Sequence, residues 1–417
     1  MKCKCKMAVA FLLVLALLVS LSFGCGGAGK GVKTIHIGEL TDFTGTAAPA
    51  LKNITYVTED VARYYNDNNL IPGVRVKVDA YDTMFQPARE ITGYDWCKSR
   101  GAKVIITIIS STAEVVKAFA DKDKIAIAAM STAPALFEPQ PGMAFGFSGT
   151  TVATMKTIMQ WVRQNDWKGQ GTPTLGLVSW DDRSSLDAKK AAEDYIDAHP
   201  GSYNLVGEYV SPVGTSTFVS EAKKLKDCDY VTSTSGYPLG FFLRDLRAAG
   251  SKAKLFEGTG AMMSYRAFYA SLCGWDALDG SLCTANSYYW NDSSAQVDLF
   301  KKLVHDYHPS EVNTIIAGGN GYVGAGQMVV EIFEILRQAI QKVGADNFDG
   351  PAFVDAAINY KTTGAMWKGS PPGTPDIPEW GFSQTKRILI DDIVILEYNA
   401  QEQALVRITD WLPLIKE

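Results

Sequence analysis

The residues best suited to chemistry in this chain are hydroxyls, and they recur in one setting. Ser110-Ser111-Thr112 follows the apolar run Val104 to Ile109, and Met130-Ser131-Thr132-Ala133-Pro134 follows Ile125 to Ala129. Ser179-Trp180-Asp181-Asp182-Arg183-Ser184-Ser185 follows Thr174 to Val178, and Ser235-Gly236-Tyr237-Pro238 follows the run at Val231. Each run reads as a strand, so each loop sits at a strand's carboxyl end, where open parallel sheets bind ligands. A single serine or threonine there is more often a helix N-cap than a ligand contact. Four such loops together point to one shared site. Uncharged hydroxyls and exposed amides suit a small polar ligand, commonly one with a carboxylate.

Catalytic motifs are scarce. Gly319-Asn320-Gly321-Tyr322-Val323-Gly324 spells GxGxxG after the apolar stretch Thr314 to Ala317 and opens a helix to Val343. In a dinucleotide site such glycines let amides approach a pyrophosphate. Here the motif falls outside a first βαβ unit, and no strand ending in an acid follows at about 20 residues. The glycines are better read as letting a helix start close to neighbouring backbone. Asp181-Asp182 and Asp391-Asp392 are adjacent pairs whose carboxylates point to different faces, which argues against shared acid/base work. There is no GxSxG, HExxH or P-loop, no CxxC, and the four histidines are not at ligand spacing. Neither an enzyme nor a cofactor or metal site is expected.

The elements that must position these loops alternate in type. Strands are expected at Val32–Leu40, Val74–Tyr81, Val104–Ile109 and Ile125–Ala129. Helices between them span about Leu51–Asn68, Pro87–Arg100 and Thr112–Asp121. The same grammar restarts after Gly149, with strands at Thr174–Ser179, Asn204–Val210, Tyr230–Ser233 and Lys254–Phe256. Helices expected there cover Val152–Asn165, Ser184–His199 and Leu239–Ala249. Alternation of this kind means mostly parallel sheets covered on both faces. Two successive sets mean an α/β fold of two Rossmann-like lobes. A proline-rich loop from Gly369 to Pro378 precedes an expected terminal hairpin, Ile388–Tyr398 and Leu405–Ile408.

The bulk properties agree. The chain has 417 residues, 47% hydrophobic and 20% charged, with a formal net charge of -5. That is globular composition without the basic stripe that nucleic acid requires. A single core stops growing at about 250–300 residues, so two domains are expected. The start is a leader: three lysines in Met1–Lys6, an apolar run from Met7 to Leu21, then Leu21-Ser22-Phe23-Gly24-Cys25 and a glycine-rich tether. This is the order of a secretory signal, too short for a membrane span of about 20 residues. Its end resembles a bacterial lipoprotein signal with Cys25 as the lipidated residue, although the leucine lies one place upstream and Phe23 is bulky. An ordinary signal cut nearby is the alternative. Of the remaining cysteines, Cys273 and Cys283 flank a turn-rich loop and form the best candidate bridge. Cys97 and Cys228 read as buried thiols.

With these loops in place, the chain resembles the type I periplasmic binding proteins that serve ABC importers of the branched-chain amino acid and amide class. The resemblance covers about residues 32–417. It rests on Ile37-Gly38-Glu39-Leu40-Thr41 with Thr44-Gly45, Ser110-Ser111-Thr112-Ala113, Met130 to Pro134, Gly236-Tyr237-Pro238 and Phe348-Asp349-Gly350. It implies two lobes joined by a three-strand hinge: a signal peptide 1–24, a tether 25–31, lobe one from 32–149 plus about 286–362, and lobe two from 150–285 plus about 363–417. By position, Ser110, Ser111 and Thr132 would hold a ligand carboxylate and polar head, Met130 would help through its carbonyl, and Tyr237 would close from lobe two. Ser185 and Thr259 fall at ligand-facing positions, and Arg183 could meet a carboxylate.

The departures bear on the ligand. The family's amino-acid binders place a glutamate after the strand that ends here at Phe256, but this loop reads Gly258-Thr259-Gly260, with Glu257 expected to point away. Removing an ammonium's partner from a desolvated cleft costs roughly 2–5 kcal/mol. If Tyr288-Tyr289-Trp290 and Trp180 lined the cleft, an aromatic or apolar acid would suit it better than leucine. The resemblance therefore implies an exported, monomeric binding protein, lipid-anchored at most, that hands a carboxylate, amino acid or amide to an ABC permease. A ligand-sensing subunit acting through a membrane partner is the alternative.

Overall fold

The computed structural model describes residues 31–45, 48–84, 86–138, 140–233, 236–362 and 379–416. Side chains at positions 49, 50, 87, 110 and 236–238 fall outside that description, as do the leader with Cys25, the tether up to position 30 and the proline-rich loop.

Five strands form a first sheet that is parallel throughout: β1 (Lys33–Thr41), β2 (Val74–Asp82), β3 (Val104–Thr107), β4 (Ala126–Ala129) and β5 (Ala144–Gly146). Their order is β2-β1-β3-β4-β5. β3 and β4 are buried at every residue, as strands covered on both faces must be. Alternation sorts their side chains. Val104, Ile106, Ala126 and Ala128 join Val57, Val61, Phe333 and Leu336 of the helices Ala48–Asp67 and Gly321–Val343. Ile105 and Ile127 join Tyr94, Cys97 and Val116 of the helices Pro87–Ser99 and Ser110–Asp123.

The second sheet is mixed. β6 (Thr174–Trp180), β7 (Asn204–Ser211), β8 (Tyr230–Ser233), β9 (Lys254–Glu257) and β10 (Leu282–Ala285) run parallel. β11 (Asp392–Asn399), β12 (Ala404–Arg407) and the short β13 (Leu412–Pro413) add antiparallel. The order is β12-β11-β10-β9-β8-β6-β7. The β11–β12 pair is the expected terminal hairpin, its turn closed with Gln403 at φ 48. The α/β class and the two sheets thus follow the sequence reading, with most elements displaced by only a residue or two.

The chain passes between the two halves three times, after β5, after β10 and before β11. Residues 379–389 stay with the first half: Gly146 N–H donates to Arg387 O at 2.8 Å and Leu389 N–H to Gly146 O at 2.9 Å. Phe382 packs edge-on against Phe145 and Phe147, with ring centroids 5.0 and 5.3 Å apart. Within the C-terminal section the passage therefore falls near residue 390 and not near 363.

The cysteine expectation is corrected. Cys97, Cys228, Cys273 and Cys283 are all free thiols. Cys283 is fully buried in β10 and faces the second sheet's apolar layer. Cys273 ends the helix Arg266–Cys273, where its thiol donates to Tyr269 O at 3.2 Å. Nearness in sequence does not bring together a mid-strand residue and a helix end.

Candidate functional site

A cleft of about 1000 Å³ lies between the two sheets, at the carboxyl ends of their parallel strands. Ile108, Ile109 and Ser111 after β3, Met130 to Thr132 after β4, and Ser148 and Gly149 after β5 line it from the first sheet. Trp180 and Asp182 to Ser185 after β6, Thr259 to Ala261 after β9, and Thr284 to Asn286 after β10 line it from the second. Six of the eight expected ligand residues, Ser111, Met130, Thr132, Arg183, Ser185 and Thr259, border this one cleft. The side chains of the other two, Ser110 and Tyr237, lie outside the described residues.

The first face leaves polar groups available. The helix Ser110–Asp123 has Ile109 at its N-cap, a residue with no side-chain oxygen to accept from the first-turn amides. Such a helix start favours anions, because its amide N–H groups and dipole both point outward. Thr132 Oγ1 and Ser148 Oγ share a hydrogen bond of 2.7 Å at the next strand end. Thr132 Oγ1 also lies 3.2 Å from Ser148 O, so the pair offers a donor outward when Thr132 gives its proton to Ser148 Oγ.

On the second face, the loops after β6 and β9 have used their charged groups. Asp182 caps the helix Arg183–Ala198, accepting from Ser185 N–H at 3.1 Å and from the Ser185 hydroxyl. The carboxylate occupies the helix start that an anionic ligand would need. Arg183 Nε donates to both carboxylate oxygens of Asp187, at 3.0 and 3.1 Å, one helical turn on. Glu257, at the end of β9, is fully buried and accepts from Thr259 N–H, from the Thr259 hydroxyl and from Met262 N–H at 3.4 Å. Burial pushes its carboxyl up to about 7, opposed by the backbone amides of the same loop. Glu257 does not border the cleft; it shapes the loop that does.

The aromatic expectation changes in detail. Trp180 lines the cleft, whereas Tyr288, Tyr289 and Trp290 are buried in the second crossing. Trp290 stacks on Tyr322 and its indole N–H donates to Gly319 O at 2.8 Å, while Tyr288 packs edge-on against Trp411. In their place Phe241, Tyr265 and Phe268 line the cleft, with Met263 and Met328. These residues sit on helices whose apolar faces read simply as core, so nothing in their spacing announces a wall.

The GxGxxG motif proves to be a packing device. Gly319 holds φ 126, and a Cβ there would come within 2.6 Å of Ser264 O. Asn320 accordingly fits closely, its N–H donating to Met263 O at 3.0 Å and its amide to Ser287 Oγ and Tyr288 O at 2.9 and 2.6 Å. Gly321 and Gly324 bring the helix start to the cleft wall. The preceding Val312–Gly318 is a helix, not a strand, so no Rossmann turn exists here. The carboxylate pairs are structural as well. Asp181 accepts from Val213 N–H at 2.9 Å, Asp391 pairs with Lys386 at 2.5 Å, and Asp392 accepts from the Trp380 indole at 2.9 Å. Among the described residues no group of three or more metal-ligating side chains comes together, and no helix is long and apolar enough to cross a membrane.

A cleft between two doubly covered α/β sheets joined by three passages is now joined by a family match. The periplasmic binding protein family aligns with residues 34–402. The chain belongs to the periplasmic binding protein family. No curated protein sequence matches it. Among solved structures it is similar to a branched-chain amino acid ABC transporter protein from Thermus thermophilus with bound valine, at TM-score 0.75 and 17% identity, covering 92% of this chain and 97% of that one. A fatty acid ABC transporter substrate-binding protein from Thermomonospora curvata gives TM-score 0.73 at 15% identity, over 91% and 92% of the two chains. A solute-binding protein from Rhodopseudomonas palustris BisB5 in complex with 3,4-dihydroxy benzoic acid gives 0.71 at 18%, over 92% and 98%. At these identities the likeness speaks for the fold. Members of this family bind solutes outside the cytoplasm.

Proposed function

We propose that this protein is an exported solute-binding component of an ABC importer that captures a small organic acid between its two halves. The supporting observation is the asymmetry of the cleft, in which one face offers a helix start without a capping side chain and a hydroxyl pair, and on the other the loops after β6 and β9 hold their own carboxylates. On this reading the ligand carboxylate docks at Ser110, Ser111 and Thr132, with the Met130 carbonyl beside it and Tyr237 closing from the second half. Trp180, Phe241 and Phe268 enclose its apolar body. Valine, fatty acids and 3,4-dihydroxy benzoic acid, named with the three related structures, share the same head group. The leader would deliver the protein across the membrane, and Cys25 would tether it there as a monomer that hands its ligand to a permease.

The test is a thermal-shift screen of the chain from Lys30 onward against amino acids, aromatic and aliphatic carboxylates, and the matching amides. A ligand at a hundredfold excess over its Kd stabilises by about 2.7 kcal/mol, which such a screen detects. Shifts confined to carboxylates support the reading. Shifts from amides equal to those from their acids would sink the carboxylate assignment.

A further inference from the structure

Three carboxyl groups stand at or just behind the cleft wall, and two of them are spoken for. Asp182 is occupied by Ser185, and Glu257 by Thr259 and Met262. The third is Glu90, on the helix Pro87–Ser99, which borders the cleft alongside Ile108 and Ile109. Its side chain is 1% exposed. Oε1 accepts from Thr112 Oγ1 at 2.9 Å, and Oε2 meets no donor among the described residues. An unmatched buried carboxyl oxygen is costly; Glu39, Glu114 and Glu331 keep one too, but among the residues that line the cleft Glu90 is the carboxyl that does.

Building on the carboxylate-binding reading, we propose that Glu90 reads a second group of the ligand, a hydrogen-bond donor, so that the cleft selects amino or hydroxy acids over the corresponding plain acids. The resemblance to amino-acid binders implies an ammonium partner after β9, on the second face. On that face Asp182 and Glu257 are both held by their own loops, and the acid with an oxygen to spare lies on the first face instead. An ammonium or hydroxyl at the ligand's α-carbon would then meet Glu90 while the carboxylate sits at the neighbouring start of the helix Ser110–Asp123. Desolvation raises the Glu90 carboxyl above its usual range, against the pull of Thr112. Pairing with an ammonium would oppose that shift.

Six probes test this: leucine, 2-hydroxy-4-methylpentanoate and 4-methylpentanoate, with phenylalanine, phenyllactate and 3-phenylpropionate. Calorimetry on the wild-type chain should show at least a tenfold preference for a donor-bearing member over its plain acid. Glu90→Met, of similar length but without an acceptor, should collapse that preference. Glu90→Gln distinguishes the donors, weakening an amino acid tenfold or more while keeping a hydroxy acid within about threefold, because an amide oxygen still accepts from a hydroxyl. Plain acids binding as tightly as their partners, or a preference that survives Glu90→Met, overturns the role of Glu90 and leaves the carboxylate cleft standing. Failure of all six acids to bind removes both readings.

Discussion

The two walls of the cleft are made from the same kind of loop and finished in opposite ways. On the second sheet, the loops after β6 and β9 fold back on themselves: Asp182 holds Ser185, Arg183 holds Asp187, and Glu257 holds Thr259 and Met262. On the first sheet, among the described residues, the helix after β3 starts without a capping side chain and Glu90 keeps an oxygen without a donor. Loop position alone therefore does not say whether a polar side chain serves a ligand. What decides is whether the loop can satisfy that side chain by itself.

The comparison breaks most visibly at Glu257. Glu257→Ala removes the acceptor for several donors in a fully buried place, and buried unsatisfied donors cost about 1–3 kcal/mol each. A loss of about 3 kcal/mol or more in urea denaturation is expected, together with loosened ligand binding through Thr259. A loss under about 1 kcal/mol would mean the second wall is not held by its own acids.

Glu331 sharpens the contrast from outside the cleft. It is a buried acid whose Oε2 accepts from the Tyr360 hydroxyl, and burial, with Glu334 nearby, pushes it up to about 8. Because its folded pKa is raised, its contribution to stability is fully present below about 4.5 and is lost as pH rises through about 8. Glu331→Gln should flatten the fall in stability between pH 5 and 8 by on the order of 3 kcal/mol relative to wild type. Parallel stability–pH curves for the two proteins would refute that. Ligand affinity should not change, since Glu331 does not border the cleft.

Thr132→Val keeps the volume and deletes the hydroxyl that meets Ser148. Stability should fall by about 1 kcal/mol, while affinity for the best carboxylate of the screen should drop tenfold or more. Unchanged affinity would take Thr132 off the binding face. Arg183→Ala is expected to do least. Its bond to Asp187 is an exposed pair within one helix, worth ~0.5 kcal/mol or less. Affinity should stay within threefold if Asp187 keeps the guanidinium. A tenfold loss would show that Arg183 leaves Asp187 for the ligand and that the second wall is less closed than it looks.

Much of the fold is legible because strand and helix periods are long-lived signals. Tyr230–Ser233 is read to the residue, and the helix to Val343 to within one. The cleft is legible as a set of strand ends, which is why Ser111, Met130, Thr132, Arg183, Ser185 and Thr259 arrive in one place. What escapes is orientation. Tyr288 to Trp290 carry the composition of a binding wall and serve as packing, while Phe241 and Phe268 carry the composition of a core and serve as wall. Thr314-Ile315-Ile316 is rich in β-branched residues yet helical, because tertiary packing outweighs a weak local preference. Glu90 offers no pattern at all, since a lone glutamate in a helix is ordinarily solvated and its unmatched oxygen exists only once the fold is complete.

The three passages between the halves also govern how the chain reaches its native state. The helix Ala48–Asp67 is covered by Gly321–Val343, and bonds such as Tyr65 to Glu334 and Tyr322 to Asp60 span 269 and 262 residues. β10 waits likewise for β11. Neither half can finish from a contiguous stretch, so an N-terminal fragment presents a bare sheet face for as long as the rest is missing. Such non-local topology slows folding and lengthens exposure of apolar surface. On the proposed route, in which the leader carries the chain across a membrane unfolded, that delay is an advantage, and in return the chain depends on protection from aggregation while the delay lasts.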